Sequence, residues 1–149
     1  MKHRAFTMIE LLIVVAIIGI LSATIMAALG TARGRGNDGG VKGDLSTVQV
    51  QGTLYYGIGN TYGSSTSSCT PSGGSVFNDT STTIEDGVGV ALAAAVKHAN
   101  GGDVQCRSNG SAFLVAAKLT NNNYWCIDSV GTATEKTSAP GSSQTNCSY

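Results

Sequence analysis

The residue types able to do chemistry are few and widely spaced. Glu10 is a lone carboxylate inside an apolar run, Cys69, Cys106, Cys126 and Cys147 are the thiols, and His98 is the imidazole far from the N-terminus. A carboxylate in a hydrocarbon span costs on the order of 2.5–3.5 kcal/mol even on the mild insertion scale, so such a charge either faces a partner or reaches a nearby interface. His98, near the end of a short helix, reads as a favourable end charge rather than a base. Asp128 reads as a turn acceptor and Glu85-Asp86 as the acidic first turn of a helix. No GxSxG, HExxH or phosphate loop occurs, and Gly57-Ile58-Gly59 lacks the third glycine and the strand of a dinucleotide site. The residues therefore assign no catalytic group and no cofactor, and the chain reads as a substrate of enzymes, not an enzyme.

The cysteines do not form paired CxxC units, and only His98 could join them, so no metal site is expected. An even count behind an export-type N-terminus favours two disulfides formed in an oxidising compartment. Composition agrees. The chain has 149 residues, 15.1 kDa, 12% charged residues and a formal net charge of +0. Without a basic run it offers no nucleic-acid surface. Gly 20, with many Ser, Thr and Asn, leaves a head poor in core formers that would gain from cross-links.

The elements that place these groups start with Met1-Lys2-His3-Arg4-Ala5, short and basic, followed by an apolar run from Phe6 to Leu29. As a helix rising about 1.5 Å per residue this run spans roughly 36 Å, enough for a hydrocarbon core of about 30 Å. The basic flank keeps Met1–Arg4 cytoplasmic while the rest is exported. A secretory signal peptide has a shorter apolar region and a small-residue cleavage site beyond it; Ser22-Ala23-Thr24 imitates such a site, and an uncleaved anchor is the plainer reading of the run alone.

The stretch Arg4-Ala5-Phe6-Thr7-Met8-Ile9-Glu10-Leu11-Leu12-Ile13-Val14-Val15-Ala16-Ile17-Ile18-Gly19-Ile20-Leu21 resembles the N-terminal signature of type IV pilins and type II secretion pseudopilins. The resemblance covers about the first 30 residues. It implies cleavage between Ala5 and Phe6 by an aspartic prepilin peptidase on the cytoplasmic face, and N-methylation of the new Phe6 amine; Ala5 stands where the family usually has Gly. It further implies that Phe6 and Glu10 direct assembly, the Glu10 carboxylate meeting the Phe6 amine of a neighbouring copy. The implied partners are copies of itself and other pilins, the prepilin peptidase/methyltransferase, an inner-membrane assembly platform, and membrane lipid before assembly. The implied location is a single-pass inner-membrane precursor with an exported head, then a cell-surface filament or a periplasmic pseudopilus. A disulfide-bound head without a calcium-ligand cluster near its end leans toward a pilus subunit over a pseudopilin. The reading from a different class is a membrane-tethered binding module on an uncleaved helix.

The expected fold is α+β: a long N-terminal hydrophobic helix running into a small head with a three-stranded antiparallel sheet. Residues 1–5 form the leader, 6–30 the transmembrane or filament-core helix, 31–59 its continuation packing on the head, and 60–149 the head. Val41, Leu45, Val48 and Tyr55, with Gly52, recur at helical spacing, and the helix should end near Gly57 or Gly59. Gly34, Gly36, Gly39, Gly40 and Gly43 each cost a helix about 0.5–1 kcal/mol relative to Ala, which predicts weak helicity or a kink over 34–43. Residues 60–83 read as polar loop, with glycosylation sequons at Asn78, Asn109 and Asn146. Thr82-Thr83-Ile84-Glu85 reads as a capping box opening a helix through Val88, Leu92 and Val96 to near Asn100-Gly101.

A meander follows: Val104–Ser108, a tight Asn109-Gly110 turn, Ser111–Leu119, a turn at Asn121–Asn123, and Tyr124–Asp128. Strands lie about 4.8 Å apart, which puts Cys106 and Cys126 on outer strands near 10 Å, beyond the usual limit of about 7 Å for a bridge. The pairing favoured is Cys69–Cys106 with Cys126–Cys147. The second would close a loop resembling the disulfide-bound surface region of type IV pilins.

Overall fold

A computed structural model describes residues 6–69, 74–78 and 87–149, in two compact units that divide between Arg35 and Gly36. The leader residues 1–5 and the proposed capping box at 82–85 lie outside the described residues. Helix α1 runs Met8–Gly59, and α2 runs Val88–His98. Four strands follow: β1 Val104–Ser108, β2 Phe113–Lys118, β3 Tyr124–Asp128 and β4 Ala133–Lys136. They form one antiparallel sheet in the order β1-β2-β3-β4.

In the first unit residues 6–33 are all exposed, although nearly all are apolar. The helix is long and apolar enough to cross a membrane by length and composition.

The glycines at 34–43 do not interrupt α1, contrary to the break their propensity suggests. Their cost is about 1 kcal/mol each and is offset where the helix packs, since tertiary burial and not propensity supplies most helix stability. That packing is supplied by Val41, Leu45, Val48 and Gly52, all buried against the head, with Tyr55 at the margin.

The sheet has three strands in the sequence reading and four in the structure. The missed strand, Ala-Thr-Glu-Lys, is largely solvent-exposed and has no apolar face, so alternation of hydrophobicity could not reveal it. It is specified instead by pairing, Trp125 opposite Glu135 and Ile127 opposite Ala133. The β1–β2 turn also differs. Ser108 pairs with Phe113, leaving a four-residue loop, and neither Asn109 nor Gly110 has positive φ as a two-residue type I′ turn requires. Asn109 Oδ1 instead accepts the N–H groups of Ser111 and Ala112 at 3.0 and 2.8 Å.

Strand β2 is buried on both faces, which explains its unbroken apolar run. Phe113, Val115 and Ala117 join the main core with α1 and α2, while Leu114 and Ala116 form a second cluster with Cys126, Cys147, Tyr124 and Tyr149. Two further readings need correction. In α2 the buried stripe is Val88, Ala91, Leu92 and Ala95, with Val96 exposed. Within the supposed polar loop 60–83, Tyr62, Val76 and Phe77 are core residues. Tyr62 and Phe77 are held by aromatic contacts, both meeting the Phe113 ring edge-on, at 5.0 and 6.3 Å. An isolated aromatic carries no periodicity to read.

Candidate functional site

The helix N-terminus carries the group singled out in the sequence. Thr7 precedes α1, and its Oγ1 accepts the Glu10 backbone N–H at 3.3 Å, while Glu10 Oε2 accepts the Thr7 backbone N–H at 2.9 Å. The Thr7 hydroxyl also donates to Glu10 Oε2 at 2.7 Å. Thr7-Met8-Ile9-Glu10 is thus a reciprocal capping box, satisfying donors that a helix start otherwise leaves open. The T-x-x-E spacing was legible in the sequence but was read there only as a motif. The acidic group also lies in the first turn, where the helix dipole favours it.

Thr7 is a neutral partner. Among the described residues no cation lies within ion-pair distance of Glu10, so its charge is oriented but not neutralised. Phe6, beside it, is 79% exposed. Among the described residues the geometry presents an uncompensated carboxylate at the tip of an apolar helix, with one face of the anion already fixed.

In the head, one disulfide joins Cys69 to Cys106 and the other joins Cys126 to Cys147. They lie on opposite faces of the sheet. Cys106 is in register with Val115 and Cys126 with Ala116, adjacent residues of β2 whose side chains point opposite ways. A Cys106–Cys126 bridge is therefore excluded by facing as well as by distance.

Asp128 holds the second disulfide's loop. It is 1% exposed, its Oδ1 accepts the N–H groups of Val130 and Thr132 at 3.1 and 2.9 Å, and its Oδ2 accepts the Cys147 N–H at 3.0 Å. It is a turn acceptor, as read, and also a clasp for the segment that returns to the sheet. Gln49 of α1 donates to the Asp128 main-chain oxygen at 2.8 Å. His98 Nδ1 lies 2.8 Å from Asp44 Oδ2, so it ties α2 to α1, a role its position near a helix end did not reveal. Glu85-Asp86 fall outside the described residues. Asn109 and Asn146 each turn their carboxamide oxygen onto following Ser groups. Among the described residues no group of three or more His, Cys, Asp or Glu could hold a metal.

The fold and the N-terminal site together define an apolar helix of membrane-spanning length that carries a disulfide-bonded α+β head. A family model described as "Prokaryotic N-terminal methylation motif" matches residues 1–26, the signature of type IV pilins and pseudopilins. No curated protein and no solved structure matches the chain. The chain is type IV pilin- or pseudopilin-like, and the motif implies prepilin-peptidase processing and assembly with other pilins. The helix and the motif fit a membrane-anchored precursor and a surface filament.

Proposed function

We propose that the chain is cut between Ala5 and Phe6, methylated on the new Phe6 amine, and built into a type IV pilus as a structural subunit. The observation that carries this reading is the Glu10 carboxylate, held by Thr7 and, among the described residues, without a counter-charge. Cleavage creates an α-amine at Phe6 with a reference pKa near 7.7–8, the cation that Glu10 lacks. In lipid an unpaired ion is costly, so each Glu10 is relieved when a neighbouring copy brings its Phe6 amine into register. Desolvation offsets much of the attraction, which makes the pair a selector of register more than a source of affinity. The exposed apolar surface of residues 6–33 supplies the association energy as helices leave lipid for the filament core.

The two disulfides suit an exported head in an oxidising compartment, and copy number in sheared fibres separates a pilus from a secretion pseudopilus. The decisive experiment is intact-mass and N-terminal analysis of material from native cells. The expected result is a mature chain starting at methylated Phe6, recovered at high copy in sheared surface fibres. Retention of Met1 in the working form would overturn the proposal and favour a tethered binding module.

A further inference from the structure

The head contains a cleft of about 350 Å³ that no part of the assembly reading uses. Ser65 and Ser67 form one wall, Arg107 and Asn109 line it from the end of β1 and the turn beyond, and Ser142 and Ser143 close it from the C-terminal segment. Every lining residue is polar, and none is a carboxylate. Its size falls at the small end of ligand sites, roughly 300–1,000 Å³, but its lining is unlike their usual apolar surface.

Two features define what could bind. First, the hydroxyls of Ser65, Ser67, Ser142 and Ser143 make no hydrogen bond with other described residues, so both walls offer donors and acceptors. Second, among the described residues Arg107 is a cation with neutral partners alone. Its Nη1 donates to the main-chain oxygens of Ser67 and Cys106 at 3.1 and 2.7 Å, and its Nη2 to Gln105 Oε1 at 3.4 Å. Its Nε is shielded from solvent without a partner, and among the described residues no carboxylate lies within ion-pair distance. The guanidinium is thus held in place, and its positive charge with the remaining Nη2 N–H is suited to one anionic oxygen.

The walls are also preorganised. Thr66 and Ser108 exchange backbone hydrogen bonds at 3.0 and 2.9 Å, the Cys69–Cys106 bridge follows that wall, and the Cys126–Cys147 bridge follows the Thr145 end of the other. Little ordering is left for a ligand to impose.

We infer that this cleft binds a carboxylated sugar: a small, singly charged polyhydroxylated acid whose carboxylate meets Arg107 and whose hydroxyls meet the serine walls. A polyanion is disfavoured, because the second unit carries five Lys and Arg against eight Asp and Glu from residue 36 onward, a side-chain balance of 5 − 8 = −3. One local positive charge in an acidic surround selects a monoanion over nucleic acid or a sulfated polymer. The inference is independent of whether the helix is cleaved or polymerised.

The test uses the full chain in detergent micelles, titrated with D-glucuronate, D-glucose and inorganic sulfate while the Arg107 Nε–H and the Asn109 and Ser143 amides are followed by NMR. Glucuronate should saturate these signals with a dissociation constant on the order of 1 mM, and glucose and sulfate should each bind about tenfold more weakly or worse. Arg107→Gln should weaken glucuronate about tenfold or more. Because Arg107 also ties two main-chain oxygens, Ser143→Asp serves as the second variant: on an exposed loop it leaves the fold intact and places a like charge against the ligand. Absence of a saturable response in the parent chain, equal binding of sulfate, or unchanged affinity in a folded Ser143→Asp chain would each overturn the inference.

Discussion

Gly52 of α1 lies directly beneath Phe113 of β2: a Cβ added at Gly52 would come within 2.7 Å of Phe113 Cε1. The ring is fully buried and is itself met by Tyr62 and Phe77, so it has no space to retreat into. Glycine is required here by close approach, not by backbone angle.

The contrast with Gly43 makes this testable, since nothing lies within 4 Å of a Cβ added there. Gly43→Ala should stabilise the head by about 0.4–1 kcal/mol, through helix propensity and a less flexible unfolded chain. Gly52→Ala gains the same helical preference but forces the ring to shift, for a net loss of about 1–3 kcal/mol. Thermal melts of the two full-length variants in detergent should move in opposite directions. A rise for Gly52→Ala would mean the core is looser than drawn.

The extent to which the sequence disclosed this arrangement depends on how each element declares itself. The stripe Val41, Leu45, Val48 and Gly52 was legible because helical burial repeats along the chain. Strands β1, β2 and β3 and the separation of Cys106 from Cys126 followed from apolar runs, turn residues and strand spacing. Strand β4 was not legible, because it is held by ladder hydrogen bonds to β3 and buries almost nothing. Tyr62 and the Val76-Phe77 pair were hidden because each enters the core from a stretch too short to show periodicity. At the helix tip, Glu10 was recognised by type and place, yet its bond to Thr7 needed only the T-x-x-E spacing to be read physically. The cleft around Arg107 assembles from three distant segments, and no local pattern announces it.

Glu10 has two separable duties, capping α1 and carrying charge, and substitutions can divide them. Gln at N3 of a capping box still accepts the Thr7 N–H, so Glu10→Gln keeps the cap and removes the charge. Thr7→Ala does the reverse, losing about 1 kcal/mol of cap stability while leaving the anion. If register selection depends on charge, Glu10→Gln and Glu10→Ala should insert normally into membrane but yield few filaments, whereas Thr7→Ala should assemble at near-normal levels. Filament yield by shearing, beside precursor in the membrane fraction, distinguishes these outcomes. Normal yield from Glu10→Gln would leave the cap as the residue's whole purpose.

Asp128 and the Cys126–Cys147 bridge fasten the same segment, one by hydrogen bond and one covalently. Closing a loop of sequence separation 21 is worth roughly 3 kcal/mol in the chain-entropy account. Replacing both cysteines by Ser should lower head stability by about that amount. Asp128→Ala strands three N–H donors beside a buried position, which predicts a loss of roughly 2–4 kcal/mol. Asp128→Asn retains one acceptor oxygen and should fall between. Denaturant titration of each variant checks the order, and a neutral Asp128→Ala would remove the clasp from the account.

Tyr124 donates its hydroxyl to Asp103 Oδ2 at 2.6 Å, and this pair sets a measurable pH dependence. The hydrogen bond to Asp103, then burial and the nearby Asp103 and Tyr149 charges, push the Tyr124 phenol up to about 12 from 10.0. Partial burial pushes Asp103 up, but hydrogen bonds from Tyr124 and Gln105 and the Lys118 charge outweigh it, leaving the carboxyl below its ordinary 3.8. A depressed carboxyl contributes stability above its unfolded value that is lost as pH falls below about 3.8; a raised phenol contributes below 10.0 and is lost as pH climbs from there toward 12. The head melt should therefore be flat between about pH 5 and 9 and decline on both sides. Other groups share the limbs. Glu135 is lowered by Asn123 and Asn121, and Tyr62 and Tyr149 are raised chiefly by burial. Tyr124→Phe isolates the pair: it should cost about 1 kcal/mol at neutral pH, because the bond is only partly screened from water. That cost should shrink as pH falls below 3.8 and again as it climbs from 10.0 toward 12, because there the unfolded chain titrates the groups that the bond holds as ionised carboxyl and neutral phenol in the folded chain. A Tyr124→Phe deficit that stays constant from pH 3 to pH 11 would assign the loss to packing and leave the Asp103 bond without energetic weight.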